Sequence, residues 1–259
     1  MAGTQCTPLV DDRGTPGGGH IGRLHASIVA AVRVEIVSDL VCPWCFIGKR
    51  RFERALYDLR HAGVRLDVQV HWRAYQLDPT APTDTAEPVI DAYAKKFGGY
   101  ERATEILHHV TTTAAADGIT FDMQRAVRAN TLRAHRLLKF VAHHAPALEG
   151  AVCEAIMSAY FAQGLNIGDP QVLLACARRV GVDHEDLAGL FDASTTTATT
   201  TGVVTTDEWS TQVHRDLTWA AERDITAVPT FVINDSFVIP GAQDSATFAR
   251  LLRKMIDAS

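Results

Sequence analysis

The sequence predicts an α/β protein: a small sheet assembled from two separated halves, with a large all-helical insertion between them. Three observations carry this. Alternating apolar runs near 32–37 and 64–72 flank one helical stretch, which makes a strand–helix–strand unit. Residues from about 87 to 207 carry helix signals only. The chain closes with a helix, two short β-rich runs joined by Asn234-Asp235-Ser236, and a last helix.

Composition sets the class. The chain has 259 residues, room for one large domain or two small ones. It is 47% hydrophobic and 21% charged, the balance of a globular protein with a sizeable core. A net charge of -5 argues against a general nucleic-acid surface. No apolar stretch reaches membrane-spanning length. Five cysteines is an odd count, unlike a disulfide-stapled secreted domain. Residues 1–31 read as a flexible tail, polar and glycine-rich around Gly17-Gly18-Gly19, without periodicity. They lack the basic start and apolar centre of a secretory signal, so a reducing cytoplasm is the expected location.

The elements follow in order. Val32, Val34 and Ile36 alternate as a strand, and Phe52, Ala55, Leu56 and Leu59 recur at helical spacing. Residues 64–72 alternate without a break, which suits a strand with one exposed face near a sheet edge. Asp78-Pro79-Thr80-Ala81-Pro82 marks a loop. A short helix opens at Pro88 and closes at Gly98-Gly99, and another spans about 101–116. Helices are expected over 126–144 and 147–163, then one capped by Asp169 with Pro170 in its first turn, then one from Asp183. The threonine-rich run 194–202 reads as a loop or frayed segment, because β-branched residues disfavour helix. Helix signals resume over 207–223. Ile225 to Ile233 and Phe237 to Ile239 form a hairpin, and a helix follows from about Asp244.

Without its middle, the chain is βαβ followed by αββα, the order of a thioredoxin-type core. The expected divisions are a tail over 1–31, core over 32–86, helical insertion over 87–206, and core again over 207–259. The insertion would wall the active site.

The chemistry concentrates at Cys42-Pro43-Trp44-Cys45, where the first strand gives way to the first helix. Free backbone N–H groups and the helix dipole there favour an anion, which lowers a thiol's pKa. Pro43 fits the first turn, whose N–H would lack a partner anyway. Cys45 lies one turn along, within reach of a disulfide to Cys42. Such a pair can attack a substrate disulfide through Cys42 and resolve the product through Cys45. A Cys-x-x-Cys is also half of a zinc site, or a purely structural pair. Zinc needs two more ligands, however, and Cys6, Cys153 and Cys176 form no second pair, while His108-His109 and His143-His144 are adjacent doublets. No metal is expected. Cys153 and Cys176 fall on apolar helix faces and read as small buried hydrophobes. Lys49, Arg50 and Arg51 read as a solvated face. Trp44 is either a flat apolar contact for substrate or a partly buried anchor.

These residues resemble the DsbA-like thioredoxin-fold proteins, in particular the FrnE-type branch related to 2-hydroxychromene-2-carboxylate isomerases and kappa-class glutathione transferases. The matching pieces run from Ser38-Asp39-Leu40-Val41-Cys42-Pro43-Trp44-Cys45 and Ile47-Gly48-Lys49-Arg50 through Trp72-Arg73 and Gln76-Leu77-Asp78-Pro79. They continue with Asn130-Thr131-Leu132-Arg133-Ala134-His135, Val228-Pro229-Thr230-Phe231 and Gly241-Ala242-Gln243. The resemblance implies that Pro229 is a cis-proline facing the dithiol, with the Val228 backbone offered to an incoming peptide or thiol for strand-like pairing. It also sets Asn130 and His135 near the site. There His135 either shuttles a proton or is a satisfied structural contact.

The leading functional reading is a cytoplasmic thiol–disulfide oxidoreductase or disulfide isomerase acting on protein or small-molecule thiols and disulfides. It needs no cofactor, with glutathione as a conceivable co-substrate, and no nucleic acid or membrane partner. The second reading is a glutathione-dependent isomerase or transferase, in which the backbone N–H groups of Gly241-Ala242-Gln243 bind a glutathione carboxylate. Relatives of that kind carry serine where Cys42 stands, which weighs against it. A third is a non-enzymatic accessory protein that uses the cleft for binding alone. No pattern in the chain sets an oligomeric state.

Overall fold

The computed structural model describes residues 30–82, 87–192, 196–199, 202–205 and 207–257. Of the expected tail, residues 1–29 lie outside the described residues, while Ala30 and Ala31 belong to the first strand.

Strand β1 (Ala30–Ser38) leads into helix α1 (Pro43–His61), then strand β2 (Leu66–Ala74). The following segment holds β3 (Glu87–Pro88), α2 (Val89–Phe97), α3 (Tyr100–Ala116), β4 (Val127–Arg128), α4 (Leu132–His144), α5 (Glu149–Phe161) and α6 (Pro170–Arg179). Next come β5 (Thr196–Thr199), β6 (Gly202–Thr205), α7 (Glu208–Ala221), β7 (Thr230–Ile233), β8 (Phe237–Pro240) and α8 (Ser245–Asp257). The main sheet has the order β2-β1-β7-β8. β1 pairs in parallel with β2, Ile36 opposite Trp72, and antiparallel with β7, Ile36 opposite Phe231.

The burial of each strand follows its place. β2 is an edge strand, and its alternating sequence keeps one face partly open. β7 lies inside the sheet and all four of its residues are buried. The β7–β8 turn runs through Asn234 and Asp235 with φ of 48° and 58°, left-handed values that these two residue types tolerate. Phe52 of α1, Phe231 of β7 and Phe248 of α8 meet with centroids 4.7 to 5.5 Å apart, which clamps α1 and α8 onto one face of the sheet. Phe46, one turn into α1, stacks with Phe121 and Phe161 of the inserted segment. Core and insertion therefore share one apolar cluster.

A buried ion cluster joins them as well. Arg73 of β2 bonds Glu35 of β1 at 2.7 Å and Asp216 of α7 at 2.8 Å. Lys139 of α4 reaches Asp216 at 2.5 Å. Glu149, at the start of α5, borders the cluster, and its carboxyl is pushed up to about 7. Burial is the main cause, Asp216 and Glu35 push the same way, and Lys139 opposes them.

Several expectations need correction. Residues 87–207 are not purely helical. Glu87–Pro88 pairs antiparallel with Val127–Arg128, and the threonine-rich run contributes β5 and β6, which pair with each other. β-branched side chains suit strands as well as they resist helix. The helix expected from 126 starts at Leu132, because Asn130 spends its side chain on local backbone: Oδ1 accepts from Leu132 N–H at 3.0 Å. The helix expected from Asp183 is a 3-10 segment, Glu185–Phe191.

Candidate active site

β1 ends at Ser38, and the next residue builds the platform. Asp39 is fully buried, and its carboxylate accepts the Leu40 N–H at 2.8 Å and the Leu77 N–H at 2.7 Å. Its carbonyl accepts the Cys42 N–H at 3.1 Å. The chain is thereby turned into α1, with Cys42 as its extended N-cap residue and Pro43 in the first turn. No side chain caps this helix start, and the Cys45 and Phe46 N–H groups donate to the Cys42 carbonyl, so Cys42 stands at the positive end of the helix dipole. Pro43 itself is buried.

Cys42 and Cys45 are neighbouring free thiols, 4% and 1% exposed. Burial foremost, then the adjacent Cys42 sulfur, hold the Cys45 thiol well above its ordinary range, while the Ser38 hydroxyl and the Asp39 amide pull the other way. On the opposite side the Val228 carbonyl faces Cys42 Sγ at 3.8 Å, and the Val228–Pro229 peptide is cis. Gly48 lets this loop approach α1: a Cβ there would stand 3.1 Å from Pro229 Cγ and 3.3 Å from Ala242 Cβ. The loop is also tied from behind. Gly241, at a φ of 76° that favours glycine, donates its N–H to the Pro229 carbonyl at 2.8 Å. Arg51 bonds the Ala242 carbonyl at 2.8 Å.

The remaining sequence candidates divide. Trp44 is half-buried, against the core and the His109 ring at 5.9 Å. His135 is 3% exposed, with Nε2 at 3.0 Å from the Tyr75 carbonyl and 3.4 Å from Asp39 Oδ1, so it stands behind the dithiol platform. Asn130 staples the loop after β2 by donating to the Pro79 and Ala81 carbonyls. Gln243 donates to the Pro240 carbonyl at 2.7 Å and braces its own turn. The Gly241 and Gln243 N–H groups, considered above as anion donors, both bond within the chain.

Lys49 and Arg51 are not part of a solvated face, whereas Arg50 is exposed as expected. α5 lies over Lys49, which is 3% exposed and keeps its charge by pairing with Glu53 and Glu154, each at 2.7 Å. Arg50 joins Glu154, and Arg51 pairs with Asp117 at 2.8 Å. Cys153 and Cys176 are buried as expected, and burial raises both thiols.

Beside the dithiol lies a cleft of about 420 Å³, floored by Val41, Val89, Tyr93 and Tyr160. Its rim is a ladder of paired charges: Lys95 to Glu87, Glu87 to Arg128, Arg128 to Asp78. Burial, together with the charge on Cys42, pushes the Tyr93 phenol up to about 12. A larger cavity, about 830 Å³, runs along Arg50, Arg54 and Asp117 and touches neither cysteine of the pair. Among the described residues no group of three or more His, Cys, Asp or Glu side chains is arranged to hold a metal ion. No helix among them is long and apolar enough to cross a membrane.

Sequence reasoning singled out neither Ser38, Asp39, Gly48 nor Tyr93 as site residues. An acid directly after a buried strand was a readable signal for Asp39. Tyr93 carried none.

Comparison with known proteins agrees with this architecture. The model of the DSBA-like thioredoxin domain matches residues 33–253. A curated Bacillus subtilis relative, the uncharacterized protein YwbO, is 28% identical, with 85% of this chain and 96% of that protein covered. The crystal structure of a probable DsbA oxidoreductase from Streptomyces coelicolor is 29% identical with a TM-score of 0.73, covering 86% of this chain and 89% of that one. A 2-hydroxychromene-2-carboxylate isomerase shares the fold at 15% identity and a TM-score of 0.56, over 88% of this chain and 99% of its own.

Proposed function

Because the chain belongs to the family of DSBA-like thioredoxin domains, we propose that it is a thiol–disulfide oxidoreductase or disulfide isomerase, with Cys42 as nucleophile and Cys45 as resolving thiol. The observation that carries this reading is the facing of Cys42 Sγ and the Val228 carbonyl at 3.8 Å, ahead of a cis proline, with Cys45 one helical turn below.

The Cys42 thiolate attacks one sulfur of a substrate disulfide. A Cys42–substrate disulfide forms and the first substrate thiolate leaves with the electron pair. Cys45 then loses its proton and attacks the Cys42 sulfur. The Cys42–Cys45 bond forms, and the second substrate thiolate departs. The substrate is reduced and the dithiol oxidised by two electrons; the reverse sequence oxidises a substrate dithiol. In isomerisation a substrate thiol releases Cys42 before Cys45 acts.

The Val228 backbone pairs with the extended strand of a substrate, and Pro43, Trp44 and Pro229 shape the approach. The apolar floor of the neighbouring cleft accepts the substrate's body. Residues 32–86 and 207–259 supply the chemistry, and residues 87–206 the wall. The partners are protein or small-molecule thiols and disulfides in a reducing cytoplasm, glutathione among them as a co-substrate. No metal or organic cofactor takes part.

Insulin reduction by the dithiol, combined with the reduction potential of the Cys42–Cys45 pair, tests the proposal. Turnover that disappears in Cys42→Ala supports it, and the potential assigns the direction. If Cys42→Ser instead retains a glutathione-dependent isomerase turnover, the oxidoreductase reading fails.

A further inference from the structure

The apolar floor of the cleft beside the dithiol is broken by two hydroxyls, those of Tyr93 and Tyr160. A buried tyrosine usually finds a partner for its O–H, because a dry, unpaired hydroxyl costs free energy. Here the described residues give neither phenol a hydrogen bond. Neither oxygen is sealed, in contrast to Ser38 Oγ, so both open into the cleft that their residues line. Tyr160 does so although the residue is only 2% exposed. The charged rim is already engaged: Lys95 pairs with Glu87, and Arg128 with Asp78 and Glu87. The Lys96 ammonium stands 5.5 Å from the Phe97 ring centre. On the floor, the two phenols are the side-chain donors held ready for a ligand.

Their order relative to the dithiol is set by what each feels. The Cys42 charge acts on Tyr93, whereas Tyr160 feels Tyr93 and Asp39. Tyr93 is thus the phenol nearer Cys42, and Val41, which precedes Cys42, belongs to the same floor. Burial holds both phenols above their ordinary range, Tyr93 at about 12. Each therefore keeps its proton beside an alkyl thiolate, whose parent thiol titrates at about 8.5. The first step of the proposed reaction calls for such donors. As Cys42 bonds to one substrate sulfur, the other departs with the electron pair and gathers negative charge. An apolar floor opposes that charge unless a fixed donor meets it. Cys42 has the Val228 carbonyl on one side and Cys45 one turn below, which leaves the cleft for the departing half.

We propose that Tyr93 is a further catalytic residue, donating its hydroxyl to the substrate sulfur that leaves, with Tyr160 as a second donor to the same thiolate. The inference rests on the oxidoreductase reading of the dithiol. The Cys42–substrate bond forms as the substrate disulfide breaks, and the electron pair goes to the departing sulfur, which accepts the phenol hydrogen bonds. The phenol protons stay on oxygen, and the thiolate takes its proton from solvent after release. The cleft thereby favours disulfides whose leaving half is apolar and carries a sulfur of ordinary basicity, since an acidic thiolate departs without help.

A Cys45→Ala background halts the reaction at the mixed disulfide, and there Cys42 is offered three reagents. Iodoacetamide releases no thiolate, 5,5′-dithiobis(2-nitrobenzoate) an acidic aromatic one, and 2-hydroxyethyl disulfide an alkyl one. Acid quenching and mass analysis of the Cys42 peptide give each rate. Tyr93→Phe keeps the ring and its contact with Phe97, centroids 5.3 Å apart, and removes only the hydroxyl. It should leave the first two rates at the parent value and slow the third about tenfold, the size of one hydrogen bond to a charged acceptor. Tyr160→Phe should show the same pattern more weakly, about threefold. An alkyl disulfide that reacts at the parent rate in Tyr93→Phe overturns the proposal. So does an equal slowing with all three reagents, which would put the effect on Cys42 or on the fold. A parent protein alkylated at Cys42 yet inert to both disulfides would instead sink the oxidoreductase reading, a distinguishable failure.

Discussion

Asp39→Ala tests how the dithiol is held. The carboxylate is fully buried and accepts two backbone N–H groups, from Leu40 at 2.8 Å and Leu77 at 2.7 Å. Each hydrogen bond to an ionised acceptor contributes about 1.5–3 kcal/mol. Alanine removes both and leaves two donors pointing into the space vacated. The Leu40 amide is buried and stays dry, so it loses the upper part of that range. The Leu77 amide is partly buried and recovers some of its loss from water. Against this, alanine ends the desolvation of a carboxylate. The balance is a loss of about 4 kcal/mol, or a fall in melting temperature on the order of 10 °C for a chain of this size. Asp39→Asn keeps one acceptor oxygen and should lose about half as much. Urea unfolding followed by circular dichroism reads both values, provided the slope against denaturant is unchanged. A loss below about 1 kcal/mol for alanine, within the range of ordinary substitutions, would refute the reasoning. An asparagine variant as damaged as the alanine one would refute the role assigned to two separate acceptances.

Three further outcomes are expected. Gly48→Ala gains about 0.5–1 kcal/mol of helix propensity. It also meets Pro229 Cγ at 3.1 Å and Ala242 Cβ at 3.3 Å, an overpacking that costs about 1–3 kcal/mol. The expected result is a net loss of about 1 kcal/mol with reduced disulfide turnover; a variant melting higher at full activity contradicts it. Glu149 has a folded-state pKa of about 7, above its ordinary 4.5, so its burial costs nothing below about pH 4.5, where it is protonated folded or unfolded. Stability falls as the pH rises from there to about 7, and above that the cost is constant at about 3 kcal/mol. Glu149→Gln should therefore stabilise the protein above neutrality and leave it unchanged in acid; equal effects at both ends, read from paired melting curves, would contradict this. Iodoacetamide on the native protein should modify neither Cys153 nor Cys176, because burial raises both thiols. Peptide mass mapping reads this, and early labelling of either residue counts against it.

Local signals made much of this molecule legible. β1, α1 and the β7–β8 hairpin each combine a period with a punctuating residue: alternation ended by Ser38, helical spacing opened by Pro43, a turn at Asn234 and Asp235. Those signals depend on neighbours in sequence, and the chain obeys them. What escaped depends on neighbours in space. Lys49 reads as exposed until α5 is laid over it with Glu154 facing it. Val127 and Arg128 read as helix until Glu87 and Pro88 offer a strand edge. Asn130 continues an apolar helical pattern, yet its side chain finds better partners at Pro79 and Ala81. In the site, the cysteine pair was visible from spacing alone. Asp39 and Gly48 lay inside readable motifs with their roles hidden, since acceptance of a distant amide and close approach of a distant proline leave no mark on local pattern.

The ion cluster of Glu35, Arg73, Asp216 and Lys139 makes distant parts of the chain depend on one another. Its members come from both ends of the chain and from its middle, the lysine being supplied by α4. Without that segment Asp216 would keep Arg73 as its charged partner, shared with Glu35. Trimming the helices would therefore remove charge neutralisation as well as apolar contact.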